Sequence, residues 1–251
     1  MKLIASIVVV AFVLLAFFAG GFFSPNKTVI YNTNGAVNYV SPAINGTGRS
    51  AMVILPAVDD NGTGVATQLI VQLLPGTGRV LVNIDRLIFW TDTQDSIRIA
   101  EEVAVGYTRE NASMYDFIYT IKANASVIQG PSAGGALAVA TIAALRGVQP
   151  NASVMMTGTI SPDGRIGPIG EAMAKAKAAK DIGAELFIVP EGQSVDVNYQ
   201  QVQRCSKFGA RDICRNESVA VRTDIGDATG IRVVEATTIG DALRYFLGEG
   251  V

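Results

Sequence analysis

A glycine-rich segment with a single hydroxyl is the strongest candidate for a nucleophile in this sequence. Ser132 is the only hydroxyl residue of G-P-S-A-G-G at residues 130–135. The segment is predicted to open a helix, where the first N–H groups lack intrahelical partners and favour a negatively charged oxygen. The small residues after the serine allow another backbone to approach closely. The alternative is a serine that only caps a buried helix.

The base that would activate this serine cannot be a histidine, because the sequence contains none. That excludes a Ser-His-Asp triad, a Cys-His dyad and a histidine-ligated metal site. Proton transfer is left to a carboxylate, a lysine, a tyrosine or an amine. Cys205 and Cys214 are too few and too widely spaced for a structural zinc site. No metal or organic cofactor is implied by the sequence. The net charge of −2 and the lack of a basic block argue against a nucleic-acid partner.

Lys175 is the candidate base. It lies on a predicted helix over residues 171–182, on the face that also carries Ala172, Ala176, Ala179 and Ile182. Lys177 and Lys180 lie on another face. Burial lowers the pKa of a lysine because it disfavours the charged form, so a buried Lys175 can act as a neutral base. The alternative places all three lysines in solvent.

Strands and helices alternate along the chain, which predicts an α/β or α+β fold. Periodicity and turn residues predict strands at 51–55, 65–74, 80–84, 116–121, 153–160, 185–189 and 231–234. They predict helices at 96–107 after an Asp95 cap, at 133–146, at 171–182 and after a Thr238–Asp241 capping box. Residues 191–229 are polar without a clear period and are interpreted as an insertion. Residues 24–50 are interpreted as a linker, with a short strand at 28–31.

Three segments together resemble the proteolytic domain of Lon proteases, which are Ser–Lys peptidases. G-P-S-A-G at 130–134 is similar to the nucleophile motif of that family. M-T-G at 156–158 and G-R-I-G-P-I-G at 164–170 are similar to its M-T-G and G-x-V-x-P-I-G-G segments. The family's catalytic lysine lies five residues after the first glycine of P-I-G-G, a position that Lys175 occupies here. The resemblance covers about residues 51–247, with strong motifs over 130–190.

The resemblance implies an α/β Lon-type serine endopeptidase with Ser132 as nucleophile and Lys175 as base. It also implies that Thr157 hydrogen-bonds the lysine and that the backbone amides of Ser132 and Ala133 form an oxyanion hole. Polypeptide substrates and a homo-oligomer, a hexamer by analogy, are expected. The sequence departs from the family pattern at Glu171, in place of the second glycine of P-I-G-G, and at Thr159, in place of an acidic residue.

Two other functions stay open at this stage. One is an inactive Lon-like module that binds partners at the cell surface. The other is a membrane-bound processing protease with one specific client. No Walker motif G-x-x-x-x-G-K-[ST] occurs in the sequence, so ATP-independent activity is expected.

The N-terminal residues predict export. Residues 3–18 are apolar except for Ser6, the apolar character continues to Phe23, and Lys2 precedes the run. Such a run is long enough to cross a bilayer, so residues 1–23 are expected to be an uncleaved anchor. A signal peptide cleaved before Phe22 is the alternative. Residues 24–50 would then be a stalk, and residues 51–251 an extracytoplasmic peptidase domain.

Glycosylation signals and the two cysteines agree with export. Seven of the twelve asparagines begin an N-x-[ST] sequon, far more than chance would place there; they are Asn26, Asn45, Asn61, Asn111, Asn124, Asn151 and Asn216. An oxidising exterior predicts a disulfide between Cys205 and Cys214, with two free buried thiols as the alternative. An exported Lon-like chain with many sequons suggests an archaeal source.

Overall fold

The fold is described from a computed structural model, which places residues 48–58, 64–83, 88–89, 91–123, 127–128, 130–209 and 211–248. The predicted anchor or signal peptide, residues 24–47 of the predicted linker and its short strand lie outside the described residues, while Arg49 and Ser50, at the end of that linker, belong to the first strand. None of the helices within the described ranges is long and apolar enough to cross a membrane.

The described residues form a mixed α/β structure, as the alternation of patterns predicted. The strands are β1 (Arg49–Val58), β2 (Gly64–Pro75), β3 (Val80–Asn83), β4 (Ile88–Phe89), β5 (Tyr115–Ala123), β6 (Val127–Ile128), β7 (Val154–Met156), β8 (Thr159–Ile160), β9 (Ile166–Gly167), β10 (Leu186–Pro190), β11 (Val195–Phe208), β12 (Arg211–Asp224) and β13 (Arg232–Ala236). The helices are α1 (Thr91–Thr108), α2 (Gly134–Arg146), α3 (Ala172–Ile182), α4 (Ile225–Thr229) and α5 (Ile239–Leu247).

Two sheets carry most of the structure. The larger has the order β1-β2-β5-β3; β1, β2 and β5 pair antiparallel, and β3 pairs parallel to β5. The smaller has the order β13-β10-β7 and is parallel throughout. Every residue of β10 is buried, as expected for the central strand of a parallel sheet. Two further pairs are short: β4 pairs parallel to β6, and β8 pairs antiparallel to β9.

Helix α2 lies at the centre of the main hydrophobic core. Its residues from Gly134 to Leu145 are all buried, and it packs against α1, α5 and the larger sheet. A helix that is apolar on every side belongs in an interior, and its many alanines and glycines allow close packing. A second, smaller core forms where α3 packs against β10 and α4; Ala176 and Phe187 are fully buried there.

Helix boundaries differ from the prediction at one important place. Helix α1 begins at Thr91 rather than after an Asp95 cap, so Asp95 lies inside the helix. The prediction relied on aspartate as a cap. Asp92 also lies in the first turn of α1, and both of its carboxylate oxygens accept backbone N–H groups. The predicted capping box on α5 is confirmed, since Thr238 and Asp241 satisfy each other's backbone N–H groups.

The predicted single strand at 153–160 is wrong in one respect. It divides into β7 and β8, because the chain leaves the parallel sheet at Thr157 and Gly158. The Gly158 N–H donates to the Ser132 carbonyl (2.9 Å), and the Gly158 carbonyl accepts from the Gly135 N–H (2.9 Å). The backbone that would have continued the strand is therefore bonded to the turn that carries the serine.

Residues 191–229 contain the largest element that the pattern did not reveal. Strands β11 and β12 pair in register over 14 residues each and form a two-stranded hairpin. Most of its residues are exposed, and the apolar–polar alternation of residues 195–200 (V-D-V-N-Y-Q) does not continue along the strands. Cys205 and Cys214 are directly opposite each other and joined by a disulfide. An isolated two-stranded hairpin is marginally stable, so this cross-link supports the element.

Candidate active site

The turn that presents Ser132 is a 3₁₀ turn over Pro131–Ala133, which leads directly into α2. Gly130 precedes it with a φ of 92°, a left-handed conformation that glycine adopts without steric cost. Proline suits the first helical position, where its missing N–H costs no hydrogen bond. The local sequence thus folds the chain sharply immediately before the serine.

Close backbone contacts hold the turn in place. A Cβ on Gly134 would come 2.9 Å from the backbone nitrogen of Ile160, so glycine is required there by the approach of β8. The amide of Gly135 and the carbonyl of Ser132 both pair with Gly158, as described above. The segment M-T-G therefore acts as a backbone clamp on the serine turn.

Lys175 reaches the serine from α3. Its Nζ lies 3.2 Å from Ser132 Oγ, within hydrogen-bonding distance, and the residue is only 8% exposed. Lys177 and Lys180 are exposed on the other faces of the helix. The orientation predicted from the helical face is confirmed, and the structure brings together the two residues predicted to react.

The electrostatics of the site shift Lys175 toward its neutral form. Burial lowers the pKa of Lys175, because the charged form loses its hydration. The carboxylate of Glu171, one helical turn earlier, opposes this effect and raises the pKa. Burial is the larger influence, so the net direction is downward from the ordinary value of 10.5. An amine shifted in this way, at hydrogen-bonding distance from a hydroxyl, can accept its proton.

Thr157 has a different partner from the one that the resemblance implies. Its hydroxyl donates to the backbone carbonyl of Ser132 at 3.3 Å, not to Lys175. Its own N–H donates to Ile188 in β10 (3.0 Å), and the residue is 3% exposed. In this arrangement Thr157 fixes the serine turn rather than orienting the lysine.

The predicted oxyanion donors lie at the start of the turn. The amides of Gly134 and Gly135 are engaged, with Pro131 and Gly158 respectively, so neither can serve a substrate oxygen as placed. Ser132 and Ala133 precede them, in the first turn, where amides usually lack intrahelical partners. Their role as donors stays a prediction.

Two residues that support the site were not singled out from the sequence. Asp92, in the first turn of α1, accepts the Gly130 N–H through Oδ2 at 3.1 Å. Gln193, which follows β10, pairs through its side-chain amide with both backbone groups of Ile169. An acidic residue in the first helical turn is a weak signal for Asp92, and no local pattern signals Gln193.

Comparison with known proteins supports the resemblance drawn from the motifs. Residues 95–205 match the family model of the Lon protease (S16) C-terminal proteolytic domain. The chain is 31% identical over 161 residues to the Lon protease of Lachnoclostridium phytofermentans. This aligned region covers 60% of this chain and 19% of that protein. It is 25% identical over 186 residues to the archaeal Lon protease of Thermoplasma acidophilum, or 74% of this chain and 25% of the relative.

A shorter match is closer in sequence. Lon protease 2 of Bacillus subtilis is 44% identical over 63 residues, 25% of this chain and 11% of that protein. Residues 95–205 are therefore similar to a Lon-type proteolytic domain, which confirms the resemblance inferred from the motifs over that part of the chain. The chain spans a quarter or less of the length of each of these relatives.

Proposed function

We propose that this chain is a serine endopeptidase in which Ser132 and Lys175 form the catalytic dyad. The observation that carries the proposal is the 3.2 Å approach of Lys175 Nζ to Ser132 Oγ with the lysine buried. The match to the Lon proteolytic domain supports the same assignment. Polypeptides are the proposed substrates, in keeping with the relatives' description as proteases.

The proposed reaction proceeds through an acyl-enzyme. Neutral Lys175 takes the proton of Ser132 as Oγ attacks the scissile carbonyl carbon, and the carbonyl oxygen becomes an oxyanion. Amides at the start of the serine turn stabilise that oxyanion. The lysine then gives its proton to the departing amine as the C–N bond breaks. Lys175 then deprotonates a water molecule, which attacks the ester carbonyl carbon. The ester C–O bond breaks, the acid product leaves, and Lys175 gives its proton to Ser132 Oγ.

The proposed activity needs no ATP and takes place outside the membrane. The first point rests on the lack of a Walker motif in the sequence. The second rests on the apolar run near the N-terminus, on the disulfide and on the sequons. Three sequon asparagines fall among the described residues, and Asn111, Asn151 and Asn216 are all exposed. Assembly into a homo-oligomer is proposed from the family alone.

Hydrolysis of a fluorogenic casein by the purified full chain tests the activity. We expect turnover without nucleotide, with no increase on addition of ATP and Mg²⁺, and no turnover by Ser132→Ala. A folded wild-type protein that stays inert with and without ATP would contradict the proposal. Activity that appears only with an added ATPase partner would contradict ATP independence while leaving the dyad intact.

Location is tested separately. Expression in an archaeal host, followed by membrane fractionation and glycosidase treatment, should give a membrane-bound protein whose mass falls after treatment. A soluble cytoplasmic protein without glycans would contradict export.

A further inference from the structure

A glutamine side chain holds the segment that leads to the catalytic helix. Gln193 Nε2 donates to the Ile169 carbonyl at 2.8 Å, and Gln193 Oε1 accepts from the Ile169 N–H at 2.9 Å. The side-chain amide thus makes the pair of hydrogen bonds that the backbone of a neighbouring strand would make. Residues 168–170 belong to no helix or strand, so these bonds satisfy backbone groups that otherwise need water.

The anchored segment determines where Lys175 begins its approach. Ile169 lies two residues before Glu171, the N-cap residue of α3. The Lys175 N–H donates to the Glu171 carbonyl (3.0 Å), so the lysine lies in the first turn of α3, directly after the segment that Gln193 holds. Ile169 also packs against the smaller hydrophobic core. A displacement of Ile169 would therefore move the start of α3, and with it Nζ.

Gln193 is also next to the base of the β11–β12 hairpin. Ser194, next to Gln193, donates its N–H to Glu235 Oε1 (3.0 Å) and accepts the Ile225 N–H at its carbonyl (2.9 Å). Strand β11 begins at the following residue. Consecutive residues thus close the hairpin and hold the catalytic segment.

We propose that Gln193 is a positioning residue of the dyad, which sets the approach of Lys175 to Ser132 and connects the β11–β12 hairpin to the active site. The proposal rests on the proposed peptidase function. Gln193 does not touch the reacting atoms; it acts through Ile169 and the start of α3. Because small displacements of reacting groups reduce rates steeply, loss of the amide should appear in kcat.

The substitution Gln193→Met tests the proposal, since it keeps the length of the side chain and removes both hydrogen bonds. We expect kcat of the full chain on a fluorogenic peptide to fall about 10- to 100-fold, with KM within threefold of wild type. Gln149→Met is the matched control. Gln149 also donates from Nε2 to a backbone carbonyl, that of Ser50, in another part of the molecule. It should keep wild-type kcat.

A second measurement does not depend on catalysis. Hydrogen exchange of the Ile169 amide should be faster in Gln193→Met than in wild type and unchanged in Gln149→Met. An inert wild type would overturn the proposed function, while this exchange still reports whether Gln193 holds the segment. Wild-type kcat in folded Gln193→Met, an unchanged Ile169 exchange rate, or an equal loss in Gln149→Met would overturn the positioning role. Gln193→Ala, with no added apolar bulk, gives the same comparison if the methionine variant does not fold.

Discussion

Glu171 interacts with Lys175 at the start of α3 through both its backbone and its side chain. The Glu171 carbonyl accepts the Lys175 N–H, while the Glu171 carboxylate raises the pKa of the lysine that burial lowers. Glu171 also has a φ of 60°, in the left-handed region that favours glycine. The glycine of the family pattern at this position thus has a conformational reason, and the glutamate adds a charge beside the base.

Removing this charge should shift the activity profile toward lower pH. Without the carboxylate the pKa of Lys175 falls further, so the neutral base forms at lower pH. Glu171→Gln and Glu171→Gly should both move the midpoint of the kcat/KM profile downward. Only Glu171→Gly relieves the left-handed strain, so it alone should gain stability, about 1 kcal/mol by denaturant unfolding. A midpoint that rises or stays in both variants would contradict the electrostatic role of Glu171.

Replacing Lys175 with methionine should stabilise the protein while abolishing turnover. A lysine with a lowered pKa in the folded state binds fewer protons there than in the unfolded state. Wild-type stability therefore rises with pH from the folded pKa up to the ordinary value of 10.5. Lys175→Met lacks this dependence, so its advantage in Tm should be greater near neutral pH than at higher pH and should shrink toward pH 10.5. Turnover should fall by at least about 100-fold. A lower Tm for Lys175→Met at every pH would show that burial of this amine costs nothing.

Thr157→Val should weaken catalysis without loss of the fold. The substitution preserves shape but removes the hydroxyl that donates to the Ser132 carbonyl. That carbonyl keeps its bond from the Gly158 N–H, so the cost to stability should be about 1 kcal/mol. We expect kcat to fall about 5-fold, the change in rate that about 1 kcal/mol on the activation barrier produces. If Thr157 instead orients the lysine, the pH midpoint should move as well; an unchanged midpoint supports the anchor on the serine.

Acid stability should depend on Asp116, away from the active site. Its carboxylate is buried and accepts from the N–H groups of Thr77 (2.8 Å) and Arg79 (3.1 Å), and from the Arg79 guanidinium. The Arg79 side chain, helped by the Thr77 amide, holds the pKa of Asp116 well below its usual range.

The change Asp116→Asn should lower Tm at neutral pH. A depressed folded pKa contributes stability above the unfolded value, and that contribution disappears as pH falls. The difference in Tm between wild type and variant should therefore narrow below about pH 4. A difference that is constant from pH 7 to pH 3 would contradict this account.

The two residues of the proposed dyad could be singled out from the sequence because their signals are local. A serine in a glycine-rich helix start and a lysine on an apolar helical face are both visible within a few residues of sequence. The prediction that these two side chains meet, which the structure places 3.2 Å apart, depended on the family motifs, because the two residues are 43 positions apart in the sequence.

The supporting contacts could not be predicted because they join distant segments through ordinary polar residues. Gln193 bonds to a residue 24 positions away and Asp92 to one 38 positions away. The hairpin escaped prediction for another reason. Its strands are exposed on both faces, and the apolar–polar alternation of residues 195–200 is too short a signal to predict two paired strands of 14 residues each.

Labelling with a serine-directed phosphonate tests the dyad most directly, because the reagent reports the nucleophile and its base together. Mass spectrometry of the purified full chain should find one modification, on Ser132, formed faster as pH rises through the lowered pKa of Lys175. Ser132→Ala should not be labelled because it lacks the nucleophile. Lys175→Arg should not be labelled because its guanidinium remains protonated and cannot act as the base. Lys177→Arg, on an exposed face of the same helix, should label at the wild-type rate. Modification of another serine, or normal labelling of Ser132 in Lys175→Arg, would contradict the account.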